Sequence, residues 1–261
     1  MQLACALHLA EVDYPKGVKL AAAAGYDAYE ISPWLPRRLT DSDISKLGVL
    51  LKRNHLEFSG FTSIYPPEMV LASPSPAARR KAILYTNRLI ELVQRLGGRS
   101  ICWGSSRARQ IPRGVAPQVG YGWLAKLLRT SGKWAEKREV KIAIEPINRF
   151  ESSNIHTVKE ALALAKTVNQ GNVGIVYDTH HASFEETSFT RPIYLAGKRI
   201  MAVHVSDCNR RIPGKGHIDF EPIFTALRRV GYDGYVTLEA IFERNIRREM
   251  TTARKRLERL V

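Results

Sequence analysis

Four ionisable side chains stand in short apolar stretches, where a hydrophobic core would reject them. Glu145, Asp178 and Glu239 each close such a stretch, and His204 lies inside another. Three carboxylates brought together without a cation would repel one another, and at least one would become neutral or be expelled. A divalent ion among them removes this conflict. The sequence therefore predicts one metal site with Glu145, Asp178, His204 and Glu239 as its ligands.

The ligand types indicate which ions would suit this site. Carboxylate oxygens with one imidazole suit Mn²⁺, Mg²⁺ or Co²⁺ better than a thiolate-rich zinc or iron site, although zinc is not excluded. Cys5, Cys102 and Cys208 are widely spaced and form no CxxC pair, so neither a thiolate site nor a disulfide framework is indicated. We expect one divalent ion per chain, Mn²⁺ first among these, and a reducing cytoplasm as the location.

The elements that must position these residues alternate along the chain, because short apolar runs are followed by longer amphipathic runs. This pattern is typical of repeated βα units around a parallel sheet. Strands are predicted at 2–8, 28–32, 57–61, 100–103, 141–145, 173–178, 201–206 and 235–239. In a closed barrel the C-terminal strand ends converge on one face, where active sites lie. The four candidate ligands would share one contiguous half of that rim.

Between the strands run eight predicted helices. They cover 15–24, 41–53, 76–96, 119–138, 157–168, 192–197, 221–230 and 242–260. Thr157 and Glu160 have the spacing of a capping box, and Gly25, Gly171 and Gly231 are placed as C-terminal caps. No linker or change in composition divides the 261 residues. Since about 250 residues suffice for one barrel, we predict an α/β fold with a single (β/α)8 TIM barrel domain over residues 1–261.

The composition raises the question of an anionic partner. Lys and Arg number 40 against 25 Asp and Glu, which gives a formal charge of +15 and makes nucleic acid a candidate. Much of this charge lies in helix-like stretches such as 244–259, with few aromatic residues to stack on bases, so solvated helix faces are favoured. No apolar run is long enough to cross a membrane, and no signal-peptide pattern follows Met1. We expect neither a nucleic acid nor a membrane partner.

Other polar and aromatic residues near the predicted strand ends could hold a polar substrate. Those after the fifth, sixth and seventh strands are Arg149, Glu151, His180, His181, Arg210, Arg211, Lys215 and His217. His8 and Glu30 end the first two strands. Trp34 and Trp103 lie just beyond strand ends, where either the pocket or an apolar patch could take them.

Four motifs together resemble a known family. They are EPINRFE at 145–151, DTHH at 178–181, HVSDCNR at 204–210 and PGKG at 213–216. They resemble the ketose 3-epimerases of the D-tagatose and D-psicose type, within the xylose isomerase-like TIM barrel superfamily of sugar isomerases and epimerases. The resemblance is strong in the second half of the chain, whereas the first half shares only the general alternation.

The resemblance implies roles for individual residues. Glu145 and Glu239 would act as acid and base as well as metal ligands, while Asp178 and His204 complete the ligand set. The substrate contacts would fall on Glu151, His181 and Arg210. His8, Trp34 and Trp103 lie where the family pattern weakens, and their positions at strand ends make them the other candidates for the pocket. A homo-oligomer, either a dimer or a tetramer, is also implied.

The chemistry implied is inversion of carbon 3 of a free ketose. A metal bound to the carbonyl and the adjacent hydroxyl stabilises the enediolate that forms when one glutamate removes the neighbouring proton. Return of a proton to the opposite face inverts the centre, and two carboxylates flanking the substrate can exchange these roles.

Other functions are compatible with the same metal site or with the same fold. An aldose-ketose isomerase, a hydroxypyruvate isomerase or an inosose-type dehydratase would use the same metal site, although the 209–216 segment favours an epimerase. An endonuclease IV-like DNA repair enzyme would explain the basic surface. That class resembles a three-metal site with further histidines on the second and third strands, and 29–33 and 58–62 contain none. A binding module without catalysis would leave the two glutamates unexplained.

Overall fold

The computed structural model describes residues 1–35 and 38–261. Eight parallel strands close into a barrel in chain order, and β8 pairs with β1 to complete it. The strands are β1 Gln2–Ala6, β2 Ala28–Ile31, β3 Glu57–Phe61, β4 Ser100–Trp103, β5 Lys141–Ile144, β6 Val173–Asp178, β7 Ile200–Val205 and β8 Tyr235–Glu239. The predicted (β/α)8 barrel is therefore confirmed. The largest difference in a strand end is at β1, which ends at Ala6 and is followed by a 3-10 turn, His8–Ala10.

Nine α-helices lie in the described part of the chain. They are α1 Tyr14–Ala23, α2 Asp41–Arg53, α3 Pro76–Arg95, α4 Pro117–Glu136, α5 Val158–Val168, α6 Thr179–Glu185, α7 Arg191–Ala196, α8 Phe220–Arg229 and α9 Ile246–Glu258. The sequence predicts every one of these except α6. That helix follows β6 without a loop, because the Asp178 side chain caps it by accepting hydrogen bonds from the N–H groups of His180 and His181.

The ends of the helices test the predicted caps. Thr157 and Glu160 form the predicted capping box at the start of α5, each accepting the other's backbone N–H. Gly25 and Gly231 have positive φ after α1 and α8, as predicted for C-terminal caps. The prediction for Gly171 is wrong, because α5 ends at Val168 and its C-cap is Asn169, which adopts the left-handed conformation at φ 54°. An asparagine tolerates this conformation better than most residues.

The alternation of side chains along each strand positions the candidate ligands. The residue two positions before each of them points to the same side of the sheet, which is the inside of the barrel. These inner residues are Ala143, Val176, Ala202 and Thr237. Ala143 and Val176 pack with Cys102 in a small cluster, apart from the main apolar core that lies between strands and helices. Small residues inside the barrel leave room for larger polar side chains at its C-terminal end.

The excess positive charge lies on exposed helix faces. In α9, Met250, Ala253 and Leu257 are buried against the barrel, while basic residues such as Arg247 and Arg248 face solvent. This distribution agrees with the solvated-face interpretation. None of the helices in the described ranges combines the length and apolar character needed to cross a membrane.

Two glycines provide a matched test of packing around the barrel. A Cβ added to Gly174 in β6 would lie 2.2 Å from the carbonyl oxygen of Arg199, whereas a Cβ on Gly122 in α4 would meet nothing within 4 Å. We expect Gly174→Ala to lower the free energy of unfolding by about 1–3 kcal/mol. Gly122→Ala should raise it by about 0.5–1 kcal/mol, because alanine favours helix. Guanidinium denaturation measures both changes, and equal effects would contradict the packing described for β6.

Candidate metal centre

The four predicted ligands meet at the C-terminal end of the barrel. Each of Glu145, Asp178, His204 and Glu239 is buried and offers one ligand atom, and these atoms all lie within 4.8 Å of one another. Nδ1 of His204 lies 3.3 Å from Oε1 of Glu145 and 3.4 Å from Oε2 of Glu239. The structure thus brings together residues that are up to 94 positions apart in sequence, from 145 to 239.

The surroundings of one nitrogen in this cluster indicate whether a cation fits there. Nδ1 of His204 is fully buried and has no hydrogen-bond partner among the described residues, although two carboxylates face it. Leaving a buried polar atom unpartnered costs free energy. A divalent ion placed among the oxygens of Glu145, Asp178 and Glu239 would take this nitrogen as a fourth ligand. The residues present therefore fit a divalent ion.

The other ring nitrogen of His204, Nε2, contacts the carboxylate of Glu30. Nε2 lies 3.1 Å from Oε1 of Glu30, and the other oxygen of Glu30 accepts a hydrogen bond from Thr237 at 2.7 Å. A carboxylate partner at Nε2 keeps the proton on that nitrogen and frees Nδ1 for a metal. The sequence marks Glu30 only as a polar strand end, and its partnership with His204 depends on closure of the barrel.

Arg210 supplies the positive charge nearest to the ligands. Its guanidinium donates to Oδ2 of Asp178 at 3.0 Å and to Oε2 of Glu239 at 2.5 Å. Burial alone would raise the pKa of both carboxyl groups. The positive charge of Arg210 outweighs burial, with a further contribution from His181 at Asp178 and from His204 at Glu239. The pKa values of Asp178 and Glu239 are therefore both lowered. Arg210 has a φ of 61°, which is strained for a residue other than glycine. The predicted substrate contact is thus also a partner of two ligands.

The two glutamates have different surroundings. Glu239 is approached by His8, whose Nε2 lies 3.2 Å from its Oε1. Oε2 of Glu145 accepts a hydrogen bond from the thiol of Cys102 at 3.3 Å. Glu239 therefore has nitrogens beside both oxygens, whereas Glu145 has His204 beside one oxygen and only the weak thiol donor beside the other.

The backbone of Glu145 is fixed by a buried arginine that the sequence interpretation missed. Arg109 is 1% exposed and donates to the carbonyl oxygens of Glu145 at 2.5 Å, and of Asn154 and Ile155 at 3.2 Å each. In return the Asn154 amide donates to the Arg109 carbonyl at 3.0 Å. Burial lowers the pKa of Arg109 to about 10, so it stays charged at neutral pH. Arg109 ties the loop after β4 to the loop after β5.

A buried carboxylate shapes the loop after β7. Asp207 accepts hydrogen bonds from the backbone N–H groups of Cys208, Gly214 and Ile218. Burial would raise its pKa, but these N–H groups lower it on balance. A Cβ on Gly216 would lie 2.3 Å from Oδ1 of Asp207, which explains the second glycine of the PGKG motif. Asp207 therefore holds the loop that carries Arg210.

A cavity of about 230 Å³ opens beside the ligands. The predicted contacts that line it are His8, Trp34, Glu151, His181 and Arg210, together with the two glutamates. The Trp34 indole donates to the carbonyl oxygen of Ser63, which holds its ring against the cavity wall.

Trp103 lies elsewhere. It is 1% exposed and packs in the main apolar core, with the centre of its ring 5.8 Å from the Arg109 guanidinium. The expectation that it contacts a substrate is corrected to a packing role, because its strand position turns it toward the helices.

Comparisons with known proteins agree with this geometry. A family model described as a xylose isomerase-like TIM barrel matches residues 18–260. The chain is 30% identical over 237 residues to the D-psicose 3-epimerase of Ruminiclostridium cellulolyticum, covering 88% of this chain and 78% of that protein. It is 27% identical over 228 residues to the L-ribulose 3-epimerase of Methylomonas sp., covering 86% and 77%. A solved D-psicose 3-epimerase with D-tagatose, from Clostridium cellulolyticum H10, has a TM-score of 0.87 at 24% identity, covering 100% of this chain and 99% of that chain. At that identity the structural similarity shows the fold.

Glu30 provides a test of the metal centre that leaves all four ligands in place. Glu30→Gln keeps the shape of the side chain but removes the charge that orients His204. We expect the dissociation constant for Mn²⁺ to rise about 10- to 100-fold, as measured by isothermal titration calorimetry. Glu57→Gln is the matched control, because Glu57 lies at the opposite end of the barrel at the start of β3. Unchanged affinity in Glu30→Gln would show that Glu30 does not orient His204.

Metal binding should also release a proton. Burial lowers the pKa of His204, but the carboxylates of Glu30 and Glu239 outweigh it and raise the pKa well above its ordinary value. The metal-free ring is therefore protonated at neutral pH, and Nδ1 must lose its proton to become a ligand. Affinity should rise with pH up to the raised pKa, because fewer protons then compete. Calorimetry in buffers of different ionisation enthalpy should find about one proton released, and zero release would contradict ligation through Nδ1.

Proposed function

This chain belongs to the xylose isomerase-like TIM barrel family, and on that premise we propose that it is a divalent-metal-dependent ketose 3-epimerase. It would invert carbon 3 of a free ketose. The observation that carries the proposal is that Glu145 and Glu239 both line one cavity, each within 3.4 Å of the same histidine nitrogen. The 3-epimerase relatives support the reaction class.

Glu145 and Glu239 carry out the proton transfers in this proposal. One glutamate, in its ionised form, takes the proton from carbon 3, which leaves an enediolate. The other, in its protonated form, gives its proton to the opposite face of the same carbon and becomes ionised. The configuration at carbon 3 is thereby inverted, and the reverse reaction exchanges the two roles. Arg109 and Cys102 hold Glu145, while His8 and Arg210 hold Glu239, so that each acid or base keeps its position.

The metal would be held by Glu145, Asp178, His204 and Glu239. It would supply positive charge beside the substrate carbonyl and the adjacent hydroxyl, which lowers the cost of removing the proton from carbon 3. We propose Mn²⁺ as the native ion, with Mg²⁺ or Co²⁺ as substitutes, because the ligand set is rich in oxygen.

The remaining cavity residues would bind the sugar. His181 and Arg210 donate hydrogen bonds to oxygens on which negative charge builds. Glu151 accepts from a hydroxyl. His180, whose Nε2 lies 3.6 Å from Oε1 of Glu151, lowers the pKa of Glu151 to about 2, so this carboxyl group is ionised throughout the physiological range. Trp34 and His8 close the side of the cavity next to Ser63.

We further propose that residues 1–261 act as one catalytic domain and that the protein works as a cytoplasmic homo-oligomer. The three cysteines are free, which suits a reducing compartment. Phe150 and Phe184 are 79% and 48% exposed and stack edge to face 5.7 Å apart, which supports self-association.

The reaction is tested by proton exchange. The Mn²⁺-loaded protein should incorporate deuterium from D₂O at carbon 3 of at least one ketose among fructose, psicose, tagatose, sorbose and shorter ketoses. NMR locates the deuterium. Exchange at carbon 1 or 2 would instead indicate an aldose-ketose isomerase, and nicking of abasic DNA by the same preparation would indicate the endonuclease.

Glu239→Gln tests the role of Glu239 in proton transfer separately from any role in folding. At saturating Mn²⁺ we expect the exchange rate to fall about 10²- to 10⁴-fold, because the amide cannot take the proton. Glu243→Gln is the matched control, since Glu243 lies four residues later and pairs with Arg211 at the surface. Metal content and thermal melting are measured for both variants. Activity near the wild-type level in Glu239→Gln would mean that the base is another residue.

A further inference from the structure

The orientation of one buried amide in the loop after β5 is determined by its surroundings. Asn148 is 1% exposed, and its Oδ1 accepts the backbone N–H groups of Phe150 at 3.0 Å and Glu151 at 3.2 Å. Backbone N–H groups only donate, so the atom that faces them must be the amide oxygen. The NH₂ group of Asn148 therefore points the other way.

That NH₂ group contacts two residues proposed to bind the substrate. Nδ2 of Asn148 donates to Oε1 of Glu151 at 2.8 Å and lies 3.0 Å from Nδ1 of His181. The backbone N–H of Asn148 also faces Nδ1 of His181, at 3.5 Å. Since both neighbours of Nδ1 are donors, Nδ1 must be the acceptor. The ring proton of neutral His181 then lies on Nε2.

We propose that Asn148 is a positioning residue that fixes the tautomer of His181 and so presents an Nε2–H donor to the ligand in the cavity. His181 lines the cavity, and no residue of the described chain forms a hydrogen bond with its Nε2. The same amide orients the Glu151 carboxylate. Asn148 therefore positions both a hydrogen-bond donor, His181, and an acceptor, Glu151, in the lining of the cavity. The donor's role in catalysis rests on the proposed function, whereas the tautomer does not.

The electrostatic surroundings of His181 agree with a neutral ring. Burial lowers its pKa, and Arg210 acts in the same direction, while Asp178, Glu145 and Glu151 oppose them; on balance the pKa is lowered. This assignment also argues against a second metal ion held by Glu151, His180 and His181, whose ligand atoms lie close enough to suggest one. Nε2 of His181 carries a proton, and its Nδ1 is engaged by Asn148.

Nitrogen NMR of the histidine side chains tests the tautomer directly. In ¹⁵N-histidine-labelled, Mg²⁺-loaded protein at about pH 8, where an ordinary histidine is neutral, His181 should carry its proton on Nε2. His156 is an internal reference of opposite type, because its Nδ1 lies 2.9 Å from the carbonyl oxygen of Ile147 and must donate. A wild-type His181 with its proton on Nδ1 would overturn the proposal.

Two substitutions test whether Asn148 is the cause. In Asn148→Asp the amide donor becomes an acceptor, so Nδ1 of His181 should gain a proton. The matched control is Asn154→Asp, which changes a buried amide of the same loop that contacts Arg109 and not His181. It should leave the His181 signals unchanged. An unchanged tautomer in a folded Asn148→Asp protein overturns the proposal, and the wild-type spectrum decides the assignment if this variant does not fold.

Steady-state kinetics test whether the Nε2–H donor of His181 contributes to catalysis. For a ketose that the wild type epimerises, Asn148→Ala should lower kcat about 10-fold or more while changing KM less, because the donor acts mainly on developing charge. Unchanged kcat in a folded variant would overturn the catalytic role. If the wild type epimerises no ketose but shows the expected tautomer, the proposed function fails and the assignment of Asn148 stands.

Discussion

Mutual repulsion among buried carboxylates is the constraint around which the C-terminal end of this barrel is built. Glu30, Glu145, Asp178 and Glu239 lie within a small buried region, and the cations in contact with them are Arg210 and a protonated His204. When all four carboxyl groups are ionised, negative charges outnumber positive ones by two. In a buried region such an excess is costly, and a divalent cation that displaces the proton of His204 would reduce it from two charges to one. The metal hypothesis therefore follows from charge as well as from ligand type.

The loops around the cavity depend on buried polar groups that form hydrogen bonds with the backbone and with neighbouring side chains. Arg109 joins two loops through carbonyl oxygens, Asp207 gathers the N–H groups of a third, and Asn148 organises the segment with Glu151. Because Arg109, Asp207 and Asn148 form their hydrogen bonds with backbone groups or neighbouring side chains, the functional groups are held in position before a ligand binds. Such preorganisation is what catalytic geometry requires.

The sequence predicts the features that depend on local periodicity, and it misses those that depend on contacts between distant loops. Strand ends and the candidate ligands were accessible because apolar runs have a clear length and because Glu145, Asp178 and Glu239 interrupt them. Helix α6 was missed because Asp178 serves as both ligand and cap, so no loop separates it from β6. Arg109 lies in a polar stretch that resembles a surface loop, and only its partners in the next loop show that it is buried. Trp103 could be assigned to the core only once the direction of its side chain was known.

Closure of the barrel has a consequence for how the protein matures. The seam between β1 and β8 joins the most distant parts of the chain, and Glu239 at the end of β8 lies beside His8, which follows β1. Contacts of such sequence separation carry a loop-closure entropy cost that local contacts do not. The cluster of buried charges is therefore complete only after the seam has formed. In a folding intermediate with an open seam, Glu239 stays beside β7 but is separated from His8, and His204 is separated from Glu30. Weaker binding of a divalent ion would therefore distinguish such intermediates from mature molecules.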